Sequence, residues 1–178
     1  NLNTKETWDY LNEKVFKNKD LRKVFHNAIY DVCWIRAATG DKLQGQLLDT
    51  MIAASVIDET RMKYSLDSLS KDYLNETKYK YDLATKVLEW SNGTIKDPMT
   101  NMHKLPHHLV KDYAEQDVNL TLKLWELFEK KLDEVLYTDP KTKKEKTCRK
   151  IFELETKLFP CLVDMKFKGV KIDVQKAK

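Results

Sequence analysis

Cysteines and long apolar runs are both scarce in this sequence. Its 178 residues contain three cysteines, Cys33, Cys148 and Cys161, and no C-x-x-C pair. A scattered, odd set of this kind excludes a disulfide framework and a cysteine zinc site, and it indicates reduced thiols. No apolar run approaches the roughly 20 residues that a membrane-spanning helix needs, and no signal peptide opens the chain. We therefore expect a soluble, cytoplasmic protein.

The sequence also has little excess of one sign of charge, except in one segment. The net charge is +4, and residues 137–150 account for it, because six basic residues stand there against two acidic ones. This segment is either a solvated linker or a strip near nucleic-acid phosphates, where each neutralised phosphate adds salt-dependent affinity. The sequence leaves both interpretations open. The six basic residues are Lys141, Lys143, Lys144, Lys146, Arg149 and Lys150.

Hydrophobic periodicity in the first half predicts alternating helices and short strands, which indicates an α/β protein. Strands are expected at residues 21–26 and, more weakly, at residues 43–48. Between them, residues 32–38 predict a helix that Gly40 closes. A further helix is expected at the start of the chain, where four apolar residues share one face. These are Trp8, Leu11, Val15 and Phe16.

Three more helices are expected before the basic segment. Asp49 and Thr50 cap the first, and Ser65 caps the second. Residues 91–106 contain glycine and proline without periodicity and indicate a loop. A long amphipathic helix is then expected over residues 107–136.

Two aspartates are candidate metal ligands. Asp31 follows the expected strand-to-helix junction, and Asp117 lies on the apolar face of the long helix. Burying a carboxylate on such a face is costly unless it is paired or binds a metal ion. Asp31 by itself would be an ordinary helix cap. Tyr113 lies one turn before Asp117 on the same face and could orient a water molecule, although alone it would be a core tyrosine.

The sequence resembles the DnaQ-like 3′→5′ exonucleases in two motifs. These are N-x-x-[FY]-D at residues 27–31 and Y-x-x-x-D at residues 113–117. Asp112, rather than histidine, stands five positions before Asp117, which disfavours the histidine-bearing subclass. The resemblance implies an RNase H-like α/β fold with a mixed sheet flanked by helices. The family's first motif, D-x-E on the opening strand, appears nowhere upstream of Asp31, so we expect the fold to lack its first strands.

Two further stretches narrow the resemblance to family A, DNA polymerase I-like, DNA polymerases. D-T-M at residues 49–51 leads to a basic residue, Lys63, and then to D-S-L at residues 67–69. This is similar to the proofreading exonuclease domain of bacterial DNA polymerase I. Residues 153–173 are similar to the start of the polymerase region that follows that domain. The lysine- and asparagine-rich sequence favours a phage source.

The resemblance implies hydrolysis of the primer's 3′-terminal phosphodiester with two Mg²⁺ or Mn²⁺ ions. Asp31 and Asp117 would bind the ions, and Tyr113 would join them as a catalytic residue. Both aspartates should therefore lie close together. The implied partners are the single-stranded 3′ end, primer–template DNA and the rest of the polymerase polypeptide. The residues implied for the groove that binds the 3′ end are Asn27, Tyr30, Met51 and Lys63; core packing of Met51 and a solvated Lys63 remain open.

We expect residues 1–136 to be a partial exonuclease domain, residues 137–150 a basic linker, and residues 151–178 the first helix of a polymerase region. Without D-x-E this piece should be inactive by itself. One alternative is a ribonuclease D or RecQ-associated exonuclease, which shares both motifs but continues into other domains. Another is a non-catalytic nucleic-acid-binding remnant, against which the retained motif residues argue. If the polymerase interpretation holds, the last helix should keep an exposed apolar stripe of Leu154, Leu158, Leu162 and Met165.

Overall fold

Seven α-helices and four short strands make up the part of the chain that the computed structural model describes, residues 4–77 and 80–176. The first helix continues into a π-helical turn at Asn12–Phe16, and a 3₁₀ turn occupies Met102–Lys104. The elements are α1 (Thr4–Leu11), β1 (Lys23–Phe25), α2 (Ala28–Thr39), β2 (Leu47–Asp49), α3 (Thr50–Ile57), α4 (Leu66–Leu74), α5 (Lys80–Trp90), α6 (His107–Lys131), β3 (Tyr137–Thr138), β4 (Glu145–Lys146) and α7 (Arg149–Lys168).

The strands form two small separate sheets. β1 and β2 are parallel, with Lys23 opposite Leu47 and Phe25 opposite Asp49, and α2 connects them. β3 and β4 form an antiparallel hairpin. Among the described residues β1 has β2 as its only neighbour, so its other edge is open. The α/β class is confirmed, while the mixed sheet is represented here by two pairs of strands.

The hydrophobic core has two parts, and both include α7. In the larger part, Phe128 of α6 and Phe152 of α7 pack with the apolar faces of α3 and α4. In the smaller part, Val32 of α2 packs against Phe159 and Val163 of α7. Each large side chain buried in this way contributes about 1.5–3 kcal/mol of transfer free energy. Ile52 contacts both parts, so that α2, α3 and α7 are held as one unit.

The βαβ order follows the sequence prediction, although α2 begins at Ala28, four residues before the expected start, and β1 covers only Lys23–Phe25. α2 ends at Gly40, which has a φ of 74° and whose N–H donates to the Arg36 carbonyl over 2.9 Å. Only the end of the second expected strand is extended, because Gly45 has a φ of 82°. A Cβ atom at Gly45 would lie 2.8 Å from the carbonyl oxygen of Leu21. Residues 43–46 therefore form a loop that packs closely against the chain before β1.

The caps of the next two helices are confirmed. Asp49 caps α3 by accepting the N–H of Met51 over 2.8 Å, and Ser65 caps α4 by accepting the N–H of Ser68 over 3.3 Å. The sequence pattern does not predict α5, because Leu83 and Val87, one turn apart, are its only buried residues among those described, too few for a clear period.

The basic segment contains a β-hairpin. α6 ends at Lys131, five residues before the expected end, and the chain then turns into the β3–β4 hairpin. The backbone N–H of Leu136 donates to the Lys146 carbonyl over 2.9 Å, so pairing with the returning strand replaces another turn of helix. α7 then begins at Arg149, inside the segment expected to be a linker.

The stripe expected to be exposed on the last helix is exposed, which confirms that prediction. The opposite face of α7 carries Phe152, Phe159 and Val163, all nearly fully buried. None of the described helices is long and apolar enough to cross a membrane. The exposed fractions of the stripe are 65% for Leu154, 46% for Leu158, 40% for Leu162 and 64% for Met165.

Candidate functional site

A cavity of about 940 Å³ opens beside the free edge of β1, where side chains from α1, α2 and α6 meet. Asp31 from α2 and Asp117 from α6 both line it, although they are 86 positions apart in the sequence. Asn27 and Tyr30 line the same cavity. The fold thus brings four of the seven predicted site residues together.

The junction between β1 and α2 directs residues of the N-x-x-[FY]-D motif toward this cavity. Asn27 has the left-handed conformation, with φ 62° and ψ 52°, which asparagine tolerates better than most residues. Its side chain makes no capping hydrogen bond to α2. The sharp turn at Asn27 places Tyr30 and Asp31 in the first turn of α2.

Asp49 holds this junction together by accepting backbone hydrogen bonds, a role that the sequence did not reveal. Its carboxylate is 4% exposed and accepts three backbone N–H groups. Oδ1 accepts from Asn27 over 3.1 Å and from Met51 over 2.8 Å, and Oδ2 accepts from Ala28 over 2.8 Å. One carboxylate therefore fixes the starts of both α2 and α3. The sequence indicated only the cap of α3, because the partner backbone lies about 21 residues away.

The neighbouring Thr50 ties the same two segments together. Its hydroxyl donates to the Phe25 carbonyl over 3.1 Å, and the Nδ1 atom of His26 lies 2.9 Å from it. Thr50 is fully buried, whereas His26 lines the cavity. These bonds hold the end of β1 against the start of α3, and so they fix the wall that carries Asp31.

The carboxyl group of Asp31 is half-buried, and this perturbs its ionisation. Burial raises its pKa above the ordinary value. Its own backbone N–H partly offsets that effect, and the negative charge of nearby Asp49 raises the pKa further. The ionised form of Asp31 is thus disfavoured in the protein without a bound cation.

This raised pKa predicts how stability depends on pH. The folded state binds the Asp31 proton more tightly than the unfolded state, so the free energy of unfolding should fall as pH rises through the interval between the two pKa values. Asp31→Asn removes this loss. In metal-free buffer we expect the variant to unfold at a higher temperature than the wild type near neutral pH, and the difference to vanish below about pH 4.

Thermal unfolding followed by circular dichroism across this pH range checks the prediction. Asp112→Asn, on the exposed side of α6, is a matched control that should show no such pH-dependent gain. A variant at position 31 that is less stable than the wild type at neutral pH would contradict the account.

Asp117 and Tyr113 are one turn apart on α6. Asp117 lines the cavity, and its Oδ1 atom is buried. The backbone carbonyl of Asp117 accepts the hydroxyl of Thr121 over 2.7 Å, one turn further along. Tyr113 is half-buried but is not among the residues that line the cavity.

The other two predicted groove residues also lie outside the cavity lining. Met51 is half-buried in the first turn of α3, where its N–H is bound by Asp49. Lys63 is exposed in the connection between α3 and α4. Their roles rest on the resemblance alone.

Aromatic side chains that the sequence did not single out line the cavity as well. Trp8 of α1 and Trp34 of α2 both do so. Trp34 is 62% exposed and meets Tyr30 edge-to-face, with ring centroids 6.3 Å apart. Exposed aromatic faces suit the stacking of unpaired bases. The available signal was the four-residue spacing, which puts Tyr30 and Trp34 on one face of α2.

Comparison with known proteins assigns the family. The family described as 3′-5′ exonuclease matches residues 1–133. The chain belongs to this 3′-5′ exonuclease family. It is 31% identical over 176 residues to a DNA polymerase DpoZ of Acinetobacter phage SH-Ab 15497, covering 97% of this chain and 26% of that protein.

Two other relatives come from cellular organisms rather than from phages. The chain is 28% identical over 131 residues to DNA polymerase I of Borreliella burgdorferi, covering 73% of this chain and 12% of that protein. It is also 33% identical over 116 residues to the exosome complex exonuclease RRP6 of Saccharomyces cerevisiae, covering 65% of this chain and 15% of that protein. The chain spans about a quarter of the length of three phage DpoZ polymerases that it matches.

The cavity of this exonuclease domain offers the kind of ligand that a hard divalent cation binds. It offers too few such ligands for the expected site. Carboxylate oxygens such as those of Asp31 and Asp117 are what Mg²⁺ and Mn²⁺ prefer. Within residues 4–77 and 80–176, no group of three or more histidine, cysteine, aspartate or glutamate side chains is arranged to hold a metal ion. Two carboxylates are fewer than a two-ion site requires.

Proposed function

We propose that this exonuclease domain removes nucleotides from the 3′ end of DNA by metal-dependent hydrolysis, as the proofreading part of a DNA polymerase. The observation that carries the proposal is the convergence of Asp31 and Asp117 on one cavity. Asn27 and Tyr30 on the same wall supply an amide and an aromatic ring for the terminal nucleotide.

Each side chain has a separate task in this proposal. Asp31 and Asp117 would hold divalent cations together with carboxylates from elsewhere in the polypeptide, and such cations would lower the pKa of water and stabilise the leaving oxygen. Tyr113, one turn from Asp117, orients the attacking water, as the family resemblance implies. Tyr30 stacks on a terminal base and keeps the scissile phosphate near the carboxylates. Met51 and Lys63 are proposed, from the resemblance alone, to contact the strand beyond the cavity.

We further propose that the missing carboxylates enter along the open edge of β1. A strand edge without a partner favours the addition of another strand, and β2 is the only strand paired with β1 among the described residues. Val24 and Phe25 of this strand line the cavity, so acidic residues on an added strand would lie beside Asp31. The resemblance to families with D-x-E on a strand supports this placement.

An exonuclease assay tests the proposal. The protein at its full natural length is incubated with single-stranded DNA labelled at its 5′ end, with and without Mg²⁺. We expect the labelled strand to shorten progressively from its 3′ end, with release of 5′-mononucleotides, only when metal is present. Residues 1–178 alone should degrade the DNA poorly. Preference for RNA over DNA would instead favour a ribonuclease of the kind that RRP6 represents.

The domain division is also a proposal: an exonuclease part at residues 1–136, a connecting basic segment at residues 137–150, and from residue 151 the first helix of a polymerase region. It is supported by the greater length of the phage relatives and by the apolar stripe on α7. We propose that further polypeptide covers this stripe.

Leu158→Glu tests this cover. In the 178-residue chain, where Leu158 is 46% exposed, the substitution should change the free energy of unfolding by less than about 0.5 kcal/mol. At full natural length it should destabilise the protein by about 2–3 kcal/mol, because the charge would then be buried. Leu88→Glu on α5, at 47% exposure, is the control and should be neutral in both. If Leu158→Glu changes the free energy of unfolding equally in the 178-residue chain and at full natural length, no further polypeptide covers the stripe.

A further inference from the structure

The β3–β4 hairpin presents lysines that have no role in the proposed exonuclease site. Its turn, residues 139–144, is built by Asp139, whose N–H donates to the Lys144 carbonyl over 2.9 Å and whose own carbonyl accepts from Lys143 over 2.8 Å. The Asp139 carboxylate accepts the N–H groups of Lys141 and Thr142 over 2.8 and 3.1 Å. The hairpin is therefore an ordered structure rather than a loose linker.

The charges at its tip are available to a ligand. The side chains of Lys141, Lys143 and Lys144 are exposed and form none of the ion pairs found among the described residues. Backbone hydrogen bonds lower the pKa of Asp139, so its carboxylate stays ionised and holds the turn. The cationic tip is thus fixed in shape by an anion that points into the turn.

Lys143 occupies a backbone conformation that lysine does not favour. Four non-glycine residues in the described part of the chain have a positive φ, and three of them are asparagines, which tolerate this region. The fourth is Lys143, with a φ of 57°. Glycine would adopt the conformation without strain. A strained residue that keeps a charged side chain at a turn tip points to a use for that charge.

The hairpin is also joined to the cavity through α6. Arg22 lines the cavity and forms an ion pair with Glu129 near the end of α6. The Glu129 carbonyl accepts from Arg149, directly after the hairpin, over 2.6 Å, and Arg149 also pairs with Asp133. By helix rise, the end of α6 lies about 21 Å from Asp117. A nucleic acid that left the cavity past Arg22 would run toward the end of α6, where the hairpin begins.

We propose that the tip of the β3–β4 hairpin binds the phosphate backbone of duplex DNA adjoining the unpaired 3′ end. Three lysines at the end of a narrow hairpin match closely spaced phosphates, which in duplex DNA supply one charge per about 1.7 Å of axis. Such contacts are independent of base sequence and hold the duplex while its frayed end occupies the cavity. The proposal rests on DNA being the substrate of the proposed exonuclease.

The test measures DNA affinity against salt concentration without divalent metal, so that cleavage plays no part. The probes are a primer–template duplex with a short unpaired 3′ end, and the unpaired strand alone; the protein is used at its full natural length. For the duplex, Lys141→Gln/Lys143→Gln/Lys144→Gln should reduce the slope of log K against log salt by about 2–3, at about 0.9 per lost phosphate contact. Affinity for the unpaired strand should change little.

Two further variants make the outcome decisive. Lys166→Gln/Lys168→Gln/Lys171→Gln removes the same charge from exposed positions at the end of α7 and should leave the slope unchanged. Lys143→Gly should lower the slope by about 0.9 while keeping or raising the unfolding temperature, which separates binding from folding. The proposal is overturned if the hairpin variant keeps the wild-type slope, or if both triple variants lose the same amount. Because cleavage is not measured, failure here leaves the exonuclease proposal to its own assay.

Discussion

Asp117→Ala, in the protein at its full natural length, is expected to abolish 3′→5′ degradation of DNA and to leave primer extension intact. Asp117 is the carboxylate that α6 contributes to the cavity. Loss of an outer-shell partner of a metal typically lowers metal affinity or activity 10–100-fold, so loss of a direct ligand should cost at least about 100-fold. Primer extension should persist because the proposed polymerase site lies in other residues.

The measurement is the rate at which 5′-labelled single-stranded DNA shortens from its 3′ end, together with the rate of extension of a primed template. Asp112→Ala is the matched control on the same helix. Asp112 pairs with Lys86 over 3.2 Å on the surface and does not line the cavity, so its loss should alter neither rate. A variant at position 117 that keeps more than about a tenth of the wild-type rate would remove Asp117 from the metal site.

Asp49→Ala is expected to be the most destabilising single substitution at the β1–α2 junction. It removes the acceptor for three backbone N–H groups, two of which begin α2 and one of which begins α3. Unsatisfied buried donors cost about 1–3 kcal/mol each, and we expect a total loss of about 3–5 kcal/mol. Because whole domains are stable by only about 5–15 kcal/mol, the unfolding temperature should fall by roughly 10 °C or more.

Ser65→Ala provides the comparison for an ordinary helix cap. Ser65 makes a single 3.3 Å capping bond at the start of α4, and its loss should cost about 1 kcal/mol. Thermal or urea unfolding of both variants in the absence of metal gives the two losses. If Asp49→Ala lowers the free energy of unfolding no more than Ser65→Ala does, the hydrogen bonds to Asp49 do not hold the junction. Asp49→Asn keeps one acceptor oxygen, so its loss in free energy of unfolding should lie between the losses of Asp49→Ala and Ser65→Ala.

The motifs of the candidate site could be recognised in the sequence because each one spans only a few consecutive residues. Asn27 through Asp31 form one turn at a strand-to-helix junction, and Tyr113 and Asp117 form one turn of a helix. Spacings of this length are read directly from helical geometry. The same holds for the caps at Asp49 and Ser65, whose bonds reach only two or three residues forward. Local order of this kind indicated the α/β class, and the resemblance that the motifs carry made the two aspartates candidate metal ligands.

Contacts between distant segments were decided by the tertiary structure. Asp49 binds Asn27 and Ala28 because parallel pairing of β2 with β1 brings the two strand ends together. Trp34 lines the cavity for a similar reason, because residues of α1 and α6, distant in sequence, line the same cavity. No short spacing encodes such neighbours. Their positions depend on how whole elements pack.

The last helix, α7, shows what the sequence determined and what only the tertiary structure decided. Its sequence determined that it is amphipathic, and the resemblance to a polymerase region predicted that one stripe, including Leu154 and Leu158, would stay exposed. Only the folded chain showed that the opposite face, with Phe152 and Phe159, closes both parts of the core. The basic segment likewise had its charge fixed by composition and its hairpin shape by pairing with a returning strand. Periodicity specifies which residues share a face, whereas packing against other elements decides which face is buried.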